Sequence, residues 1–278
     1  MPLRPTGEVV GRARAEGHGV GAFNVIQLES AEAIVAGAEA AELPVILQIS
    51  ENCVRYHGAL EPVLLASLAV ARSATVPVAV HLDHAESEEL VRDAVGLGVG
   101  SVMYDASRLG YAANVRTTTE VVRECHAAGV WVEAELGEVG GKDGVHAPGA
   151  RTDPGEAAGF VAATGVDALA VAVGSSHAMT TREARLDEEL IARLSRAVAV
   201  PLVLHGSSGV ADEGLTRAVR AGITKVNLST HLNKVFTAAV RGYLLDHPDV
   251  VDTRKYLAPG RAAMADAVAG LLRLLALQ

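Results

Sequence analysis

Eight short apolar runs, rich in Val and Ala, are spaced along the chain with longer Ala/Leu-rich amphipathic stretches between them. The runs are Val20–Val25, Val45–Ile49, Val78–Leu82, Gly100–Tyr104, Val130–Leu136, Ala168–Val173, Leu202–Leu204 and Ile223–Leu228. They show little apolar/polar alternation, as parallel strands buried on both faces do. Leu28–Ala41, Glu88–Leu97, Thr117–Ala128, Glu188–Val198, Glu213–Ala221 and Leu232–Leu245 read as helices. Ser87 is the expected N-cap of the second, with Glu88 and Glu89 in its first turn. Repeated β-then-α units predict the α/β class and a single-domain (β/α)8 TIM barrel over residues 1–278. The 278 residues suit one such barrel, which needs roughly 250. An open doubly wound sheet is the alternative, but no GxGxxG follows the first run.

Composition narrows the function. Half of the residues are hydrophobic and 21% are charged, enough for a large core. Aromatics are only 3% and the net charge is −9, so neither base stacking nor a basic footprint invites nucleic acid or an anionic membrane. An acidic chain that binds a phosphorylated ligand must concentrate positive field locally, through a metal or backbone N–H groups. Cys53 and Cys125 are too few for a disulfide framework or a Cys-based zinc site, and suit a reducing cytoplasm. Residues 1–19 lack an apolar h-region and predict a short capped helix rather than a secretion signal. No apolar run approaches the ~18 residues of a membrane span. The expectation is a soluble, cytoplasmic protein.

One connection stands out. Residues 137–159 (GEVGGKDGVHAPGARTDPGEAAG) are rich in Gly and Pro and lack periodicity. Connections of this length are usually lids, linkers or disordered. The segment reads as a mobile lid after the fifth strand, with an interdomain linker as the alternative.

Barrel active sites lie where strands finish, so the strand ends carry the chemistry. They supply Asn24 from the first strand and Ser50, Glu51 and Asn52 from the second. His81, Asp83 and His84 end the third, Asp105 and Ser107 the fourth, Glu133 and Glu135 the fifth. Ser175, Ser176 and His177 end the sixth, His205, Ser207 and Ser208 the seventh, and Asn227, Ser229 and Thr230 the eighth. One histidine at such a place is most often structural. His84, His177 and His205 converging on one mouth suggest a three-His metal site with an open position, suited to Zn²⁺. His18, His57, His126, His146, His231 and His247 read as surface or capping residues, and His81 as structural or as a partner of a ligand. Asp83, beside His84, can carry protons to or from a substrate oxygen. Asp105 and Glu135 point to the same mouth as partners of the histidines or as further metal ligands. The alternative for Glu135 is a core ion pair with Lys225.

The ends of the last two strands, HGSSGVAD and NLSTHLNK, sit where barrels commonly bind phosphate through backbone N–H groups and helix N-termini. Gly206 and Gly209 permit close approach, and Ser208 and Thr230 can donate hydroxyls.

The segments GAFNVIQLES, VAVHLDHAES, SVMYDAS, VWVEAELGEVGG, DALAVAVGSSHA, PLVLHGSSGV and ITKVNLST together resemble the class II, zinc-dependent ketose-bisphosphate aldolases, which include fructose- and tagatose-bisphosphate aldolases. The resemblance runs from residue 21 to residue 230 in the family's order. It implies that His84, His177 and His205 hold a catalytic Zn²⁺, with Asp105 and Glu135 near the metal. It implies that Asp83 handles the proton of the C4 hydroxyl. It places Gly206, Ser208 and Thr230 at the phosphate and Asn227 at the dihydroxyacetone-phosphate moiety, and adds Asn24, Ser50, Ala178, Ser207 and Ser229 to the substrate-binding set. The implied reaction is reversible aldol cleavage of a ketose 1,6-bisphosphate to dihydroxyacetone phosphate and an aldehyde such as glyceraldehyde 3-phosphate, through a Zn-stabilised enediolate. A monovalent cation (Na⁺ or K⁺) and a homodimer or homotetramer are further expectations of the resemblance.

The chain departs from the family pattern in places. The lid usually carries Glu after GG; here Lys142 and Asp143 follow, and Asp143 is the candidate lid base for the C3 proton. Ala178 stands where Gly is usual, and Ser207 where Gly or Ala is usual. Ser229 stands where many fructose-bisphosphate aldolases have Asp and tagatose-type members a small residue. An aldolase for another ketose 1-phosphate, or a sugar-phosphate-binding barrel without turnover, are the alternatives these changes motivate. A Schiff-base aldolase would need Lys225, the only lysine on an expected strand. Metal-dependent hydrolysis would need Asp83 as the base that activates water.

Overall fold

The computed structural model describes residues 2–136, 151–176, 179 and 181–278. Eight parallel strands close into a barrel in chain order: β1 (Val20–Asn24), β2 (Val45–Ser50), β3 (Val78–Ala85), β4 (Ser101–Tyr104), β5 (Trp131–Leu136), β6 (Ala168–Val171), β7 (Leu202–Leu204) and β8 (Ile223–Leu228). β8 pairs back onto β1, with Val20 beside Lys225 and Ala22 beside Asn227. The helices are α1 (Thr6–Glu16), α2 (Leu28–Ala41), α3 (Glu51–His57), α4 (Glu61–Ser73), α5 (Glu88–Gly96), α6 (Tyr111–Ala127), α7 (Pro154–Thr164), α8 (Glu188–Ala197), α9 (Asp212–Ala221), α10 (Thr230–Asp246) and α11 (Thr253–Leu275). None of the described helices is long and apolar enough to cross a membrane.

The strands bury both faces, which is why their sequences do not alternate. Outward residues such as Leu47, Ile49, Leu82, Leu169 and Leu204 pack under Ile34, Leu64, Leu68, Phe160 and Ile191 of the helices. Inside, α1 sets Val9, Val10 and Ala13 against Val20, Ala22, Ile46 and Ala79. Ala22, Ile46 and Ala79 stand side by side across β1–β3. Two residues further on, the same face turns polar, with Asn24 beside Gln48 and Gln48 beside His81. An apolar floor thus carries a buried polar layer, and the cleft opens above it.

The expected strands are all present, but several helices differ. α6 begins at Tyr111 rather than Thr117. α3, α4, α7 and α11 lie outside the expected set. α7 overturns the last part of the expected lid: residues 154–159 are helical, not loop. Asp153 caps that helix, its Oδ1 accepting from the N–H groups of Gly155 (2.8 Å) and Glu156 (3.0 Å), and Pro154 takes the first turn, where its missing donor costs nothing. The PGEAAG sequence reads as a breaker, and only the cap makes it a helix start. α11 likewise contains Pro259 and Gly260. The other part of the expected lid, residues 137–150, lies outside the described residues, as do His177, Ala178 and Asp143.

Candidate active site

The strand ends converge on a cleft of about 330 Å³ whose walls include Asn24, Ser50, Asp83, His84, Asp105 and Asn227. Gly206, Ser207, Ser208, Ser229 and Thr230 line its other side. Of the site residues expected from sequence, the structure therefore brings these eleven together at one mouth. His205 and Glu135 lie beneath it, fully buried.

His84 and His205 stand edge to face, ring centroids 4.6 Å apart. The Nδ1 of His84 lies 2.8 Å from Asp105 Oδ2. Asp105 is itself held, its Oδ1 accepting from the Ser107 hydroxyl at 2.6 Å. His205 lies between two carboxylates: Nε2 is 3.0 Å from Glu133 Oε1, and Nδ1 is 3.4 Å from Glu135 Oε2. Burial opposes a charge on this imidazole, but the hydrogen bond to Glu133 and the close Glu135 carboxylate outweigh burial and raise its pKa to about 9. Imidazoles oriented by carboxylates on the opposite nitrogen are the usual arrangement of metal-binding histidines.

Among the described residues, Asp83, His84 and His205 bring ligand atoms within 4.8 Å of one another, and so do His84, Asp105 and Glu135. The donor set of imidazole nitrogen and carboxylate oxygen fits Zn²⁺.

Asp83 is almost fully buried. Its Oδ2 is 3.4 Å from Asn24 Nδ2 and its Oδ1 is 3.3 Å from Asn227 Nδ2. Burial by itself would raise its pKa, but the positive fields of His84, Lys225 and His205 prevail and hold the carboxyl below its ordinary range. Ser50 caps α3, its Oγ accepting from Cys53 N–H. The Oγ of Ser208 accepts from the N–H groups of Ser229 (3.4 Å) and His231 (3.2 Å), tying the turns after β7 and β8 together. The Ser207 hydroxyl is taken by the Leu204 carbonyl at 3.0 Å. Gly206 is left-handed (φ +66°), and a Cβ there would meet the Ser176 backbone at 2.6 Å.

One residue of the network, Gln48, has no place among the sequence expectations, and two that were named, Glu133 and Lys225, take roles other than those expected. Lys225 pairs with Glu133 at 2.8 Å, not with Glu135. The expected Glu135–Lys225 alternative is thereby corrected: Glu135 faces His205, one inward position further along β5. Lys225 is fully buried and its Nζ donates to Glu133 and Asn227, which leaves no route for a substrate carbonyl to reach it as a Schiff base requires. His81 belongs to the layer below, its Nδ1 2.8 Å from Ser101 Oγ and its Nε2 3.9 Å from Glu133. A polar residue at an inward position of an otherwise apolar strand is the signal by which Gln48 could have been found.

Known proteins place this geometry. The family profile described as fructose-bisphosphate aldolase class-II matches residues 4–278. A fructose-bisphosphate aldolase of Geobacillus stearothermophilus is 41% identical over 277 residues, covering 98% of this chain and 96% of that protein. A fructose-bisphosphate aldolase of Thermus caldophilus is 41% identical over 295 residues, covering 96% of each. The crystal structure of the YdjI aldolase from Escherichia coli K12 superposes with a TM-score of 0.88 at 33% identity, covering 98% of this chain and 97% of that one. The chain belongs to the class II fructose-bisphosphate aldolase family.

Proposed function

We propose that the protein catalyses reversible aldol cleavage of a ketose 1,6-bisphosphate of the fructose or tagatose type, giving dihydroxyacetone phosphate and glyceraldehyde 3-phosphate. The observation that carries this reading is the carboxylate of Asp83. It is held ionised between two amide N–H groups, next to the His84–His205 pair. His84 and His205, with His177 outside the described residues, would hold Zn²⁺, and Asp105 and Glu135 would steady the ligands. Bound zinc supplies the Lewis acid for the ketone carbonyl.

The remaining work falls to the chain. Asp83 takes the C4 hydroxyl proton as the C3–C4 bond breaks and returns it in the synthetic direction. Asn24 and Asn227 keep Asp83 in place, and Asn227 also reaches the dihydroxyacetone-phosphate half. The N–H groups and hydroxyls around Gly206, Ser208 and Thr230 take the phosphate of that half, with a monovalent cation beside it, while Ser50 and Ser229 face the rest of the sugar. Asp143, on the segment read as a lid, serves as base for the C3 proton. The working unit is a cytoplasmic homodimer or homotetramer.

The test is dihydroxyacetone phosphate release from fructose 1,6-bisphosphate and from tagatose 1,6-bisphosphate, before and after chelation and with zinc added back. Release that chelation abolishes and zinc restores is expected, and the ratio of rates ranks the two sugars. Release that chelation leaves intact would sink the reading. No release from either sugar would turn the assignment toward another ketose phosphate or a barrel that binds without turnover.

A further inference from the structure

Lys225 is a fully enclosed cation with two acceptors, Glu133 Oε2 at 2.8 Å and Asn227 Oδ1 at 2.9 Å. An ammonium can only donate, so each contact fixes the direction of the hydrogen bonds beyond it. With its Oδ1 committed to Lys225, Asn227 must turn Nδ2–H toward Asp83 Oδ1, 3.3 Å away. With its Oε2 committed to Lys225, Glu133 offers Oε1 to His205 Nε2, 3.0 Å away. That contact keeps Nε2 as the donor to Glu133 and turns Nδ1, the nitrogen a metal would take in place of its proton, toward Glu135 and the cleft. Asn24 reaches Asp83 in the same polarity from the other flank, because its own Oδ1 accepts from Gln48 at 2.8 Å.

We infer that Lys225 is the positioning residue that sets both halves of the site at once, holding Asp83 as an acceptor through Asn227 and His205 as a metal-facing imidazole through Glu133. The inference rests on the proposed aldol reaction for the Asp83 half and on metal binding alone for the His205 half. Without Lys225, the buried Glu133 carboxylate loses its permanently charged partner and keeps only imidazoles beside it, which is strongly unfavourable. Asn227 is then free to present its oxygen to Asp83.

The test separates the two arms from simple loss of folding. Lys225→Met is expected to lower kcat and zinc affinity about 10- to 100-fold, the usual cost of losing a partner that orients a ligand. Its Co²⁺-substituted form should show an altered visible spectrum. Adding Glu133→Gln removes the stranded charge while keeping an acceptor for His205. The double variant should therefore regain zinc stoichiometry, the cobalt spectrum and the melting temperature. Its kcat should stay at least about tenfold low with KM changed by less than about threefold, because Asn227 remains unanchored. A purely structural salt bridge predicts that kcat returns with stability. Asn227→Asp supplies the independent check: it keeps an acceptor for Lys225 but sets an oxygen against Asp83, so kcat should fall with zinc binding unchanged. Full kcat in Asn227→Asp or in the double variant would overturn the Asp83 half, and an unaltered cobalt spectrum in Lys225→Met would overturn the His205 half. If the unmodified chain cleaves no bisphosphate, the reaction assignment fails and the Asp83 half with it, while the cobalt spectra still decide the other.

Discussion

Asp83 and His84 are consecutive on β3, yet both side chains line the same cleft. Consecutive residues of a regular strand face opposite ways. β3 escapes the rule through a register shift against β4 between Leu82 and Ala85 and through a left-handed His84 (φ +50°). A non-glycine residue in that region costs about 1–3 kcal/mol and persists where its surroundings fix it. The 2.8 Å contact from His84 to Asp105 is one such restraint. The backbone distortion places a proton carrier and a metal ligand side by side, as the proposed cleavage requires.

Asp83→Asn should lower the rate of cleavage by about 10²–10⁴-fold, the usual contribution of a proton-transfer residue. The amide keeps the size of the side chain and leaves His84 and His205 in place, so zinc content should be unchanged. Metal analysis beside steady-state kinetics checks both points; near-normal kcat would remove Asp83 from the chemistry.

Asp105→Ala should act on the metal rather than on proton transfer. His84 would lose the carboxylate 2.8 Å from its Nδ1, and zinc affinity should drop about 10- to 100-fold. Excess zinc should restore kcat. Competition with a chromophoric chelator measures the affinity, and a variant that binds zinc as tightly as the parent contradicts the assignment.

Gly206→Ala doubly strains the turn proposed to take phosphate. Its backbone is left-handed, and the added methyl would lie 2.6 Å from backbone atoms of Ser176, so one of the two segments must shift. Inorganic phosphate should bind about 5- to 30-fold more weakly, given an expected penalty of roughly 1–2 kcal/mol. Calorimetric titration with phosphate reads this directly; unchanged binding would move the phosphate away from this turn.

Cys125 offers a pH test away from the site. Burial, followed by the fields of Glu124 and Asp167, raises its thiol from the ordinary 9.0 to about 11. The folded chain therefore keeps the proton that the unfolded chain loses, and stability falls as pH rises from about 9 to about 11. Cys125→Ala should flatten that part of the stability curve. In the parent, a thiol reagent at pH 8 should label Cys125 only after unfolding.

The sequence by itself determined the barrel, its strand order and most of the cleft. Eight doubly buried strands must be nearly all apolar, so the polar residues that end them stand out and fall together once the barrel closes. One feature was local but overlooked, and two came only from tertiary structure. The start of α7 was written locally, in Asp153 capping Gly155 and Glu156 with Pro154 in the first turn, and the surrounding Gly-rich sequence masked it. The choice of Glu133 over Glu135 as partner of Lys225 depends on depth within the barrel, where the two carboxylates differ by one turn of the pleat and strand parity cannot tell them apart. The presence of both Asp83 and His84 in one cleft depends on the bulge in β3, which local sequence does not encode, because it is fixed by long-range pairing with β4 and by Asp105. Periodicity reports which face a residue is on, while reach, depth and hydrogen-bond direction arise only when distant strands meet.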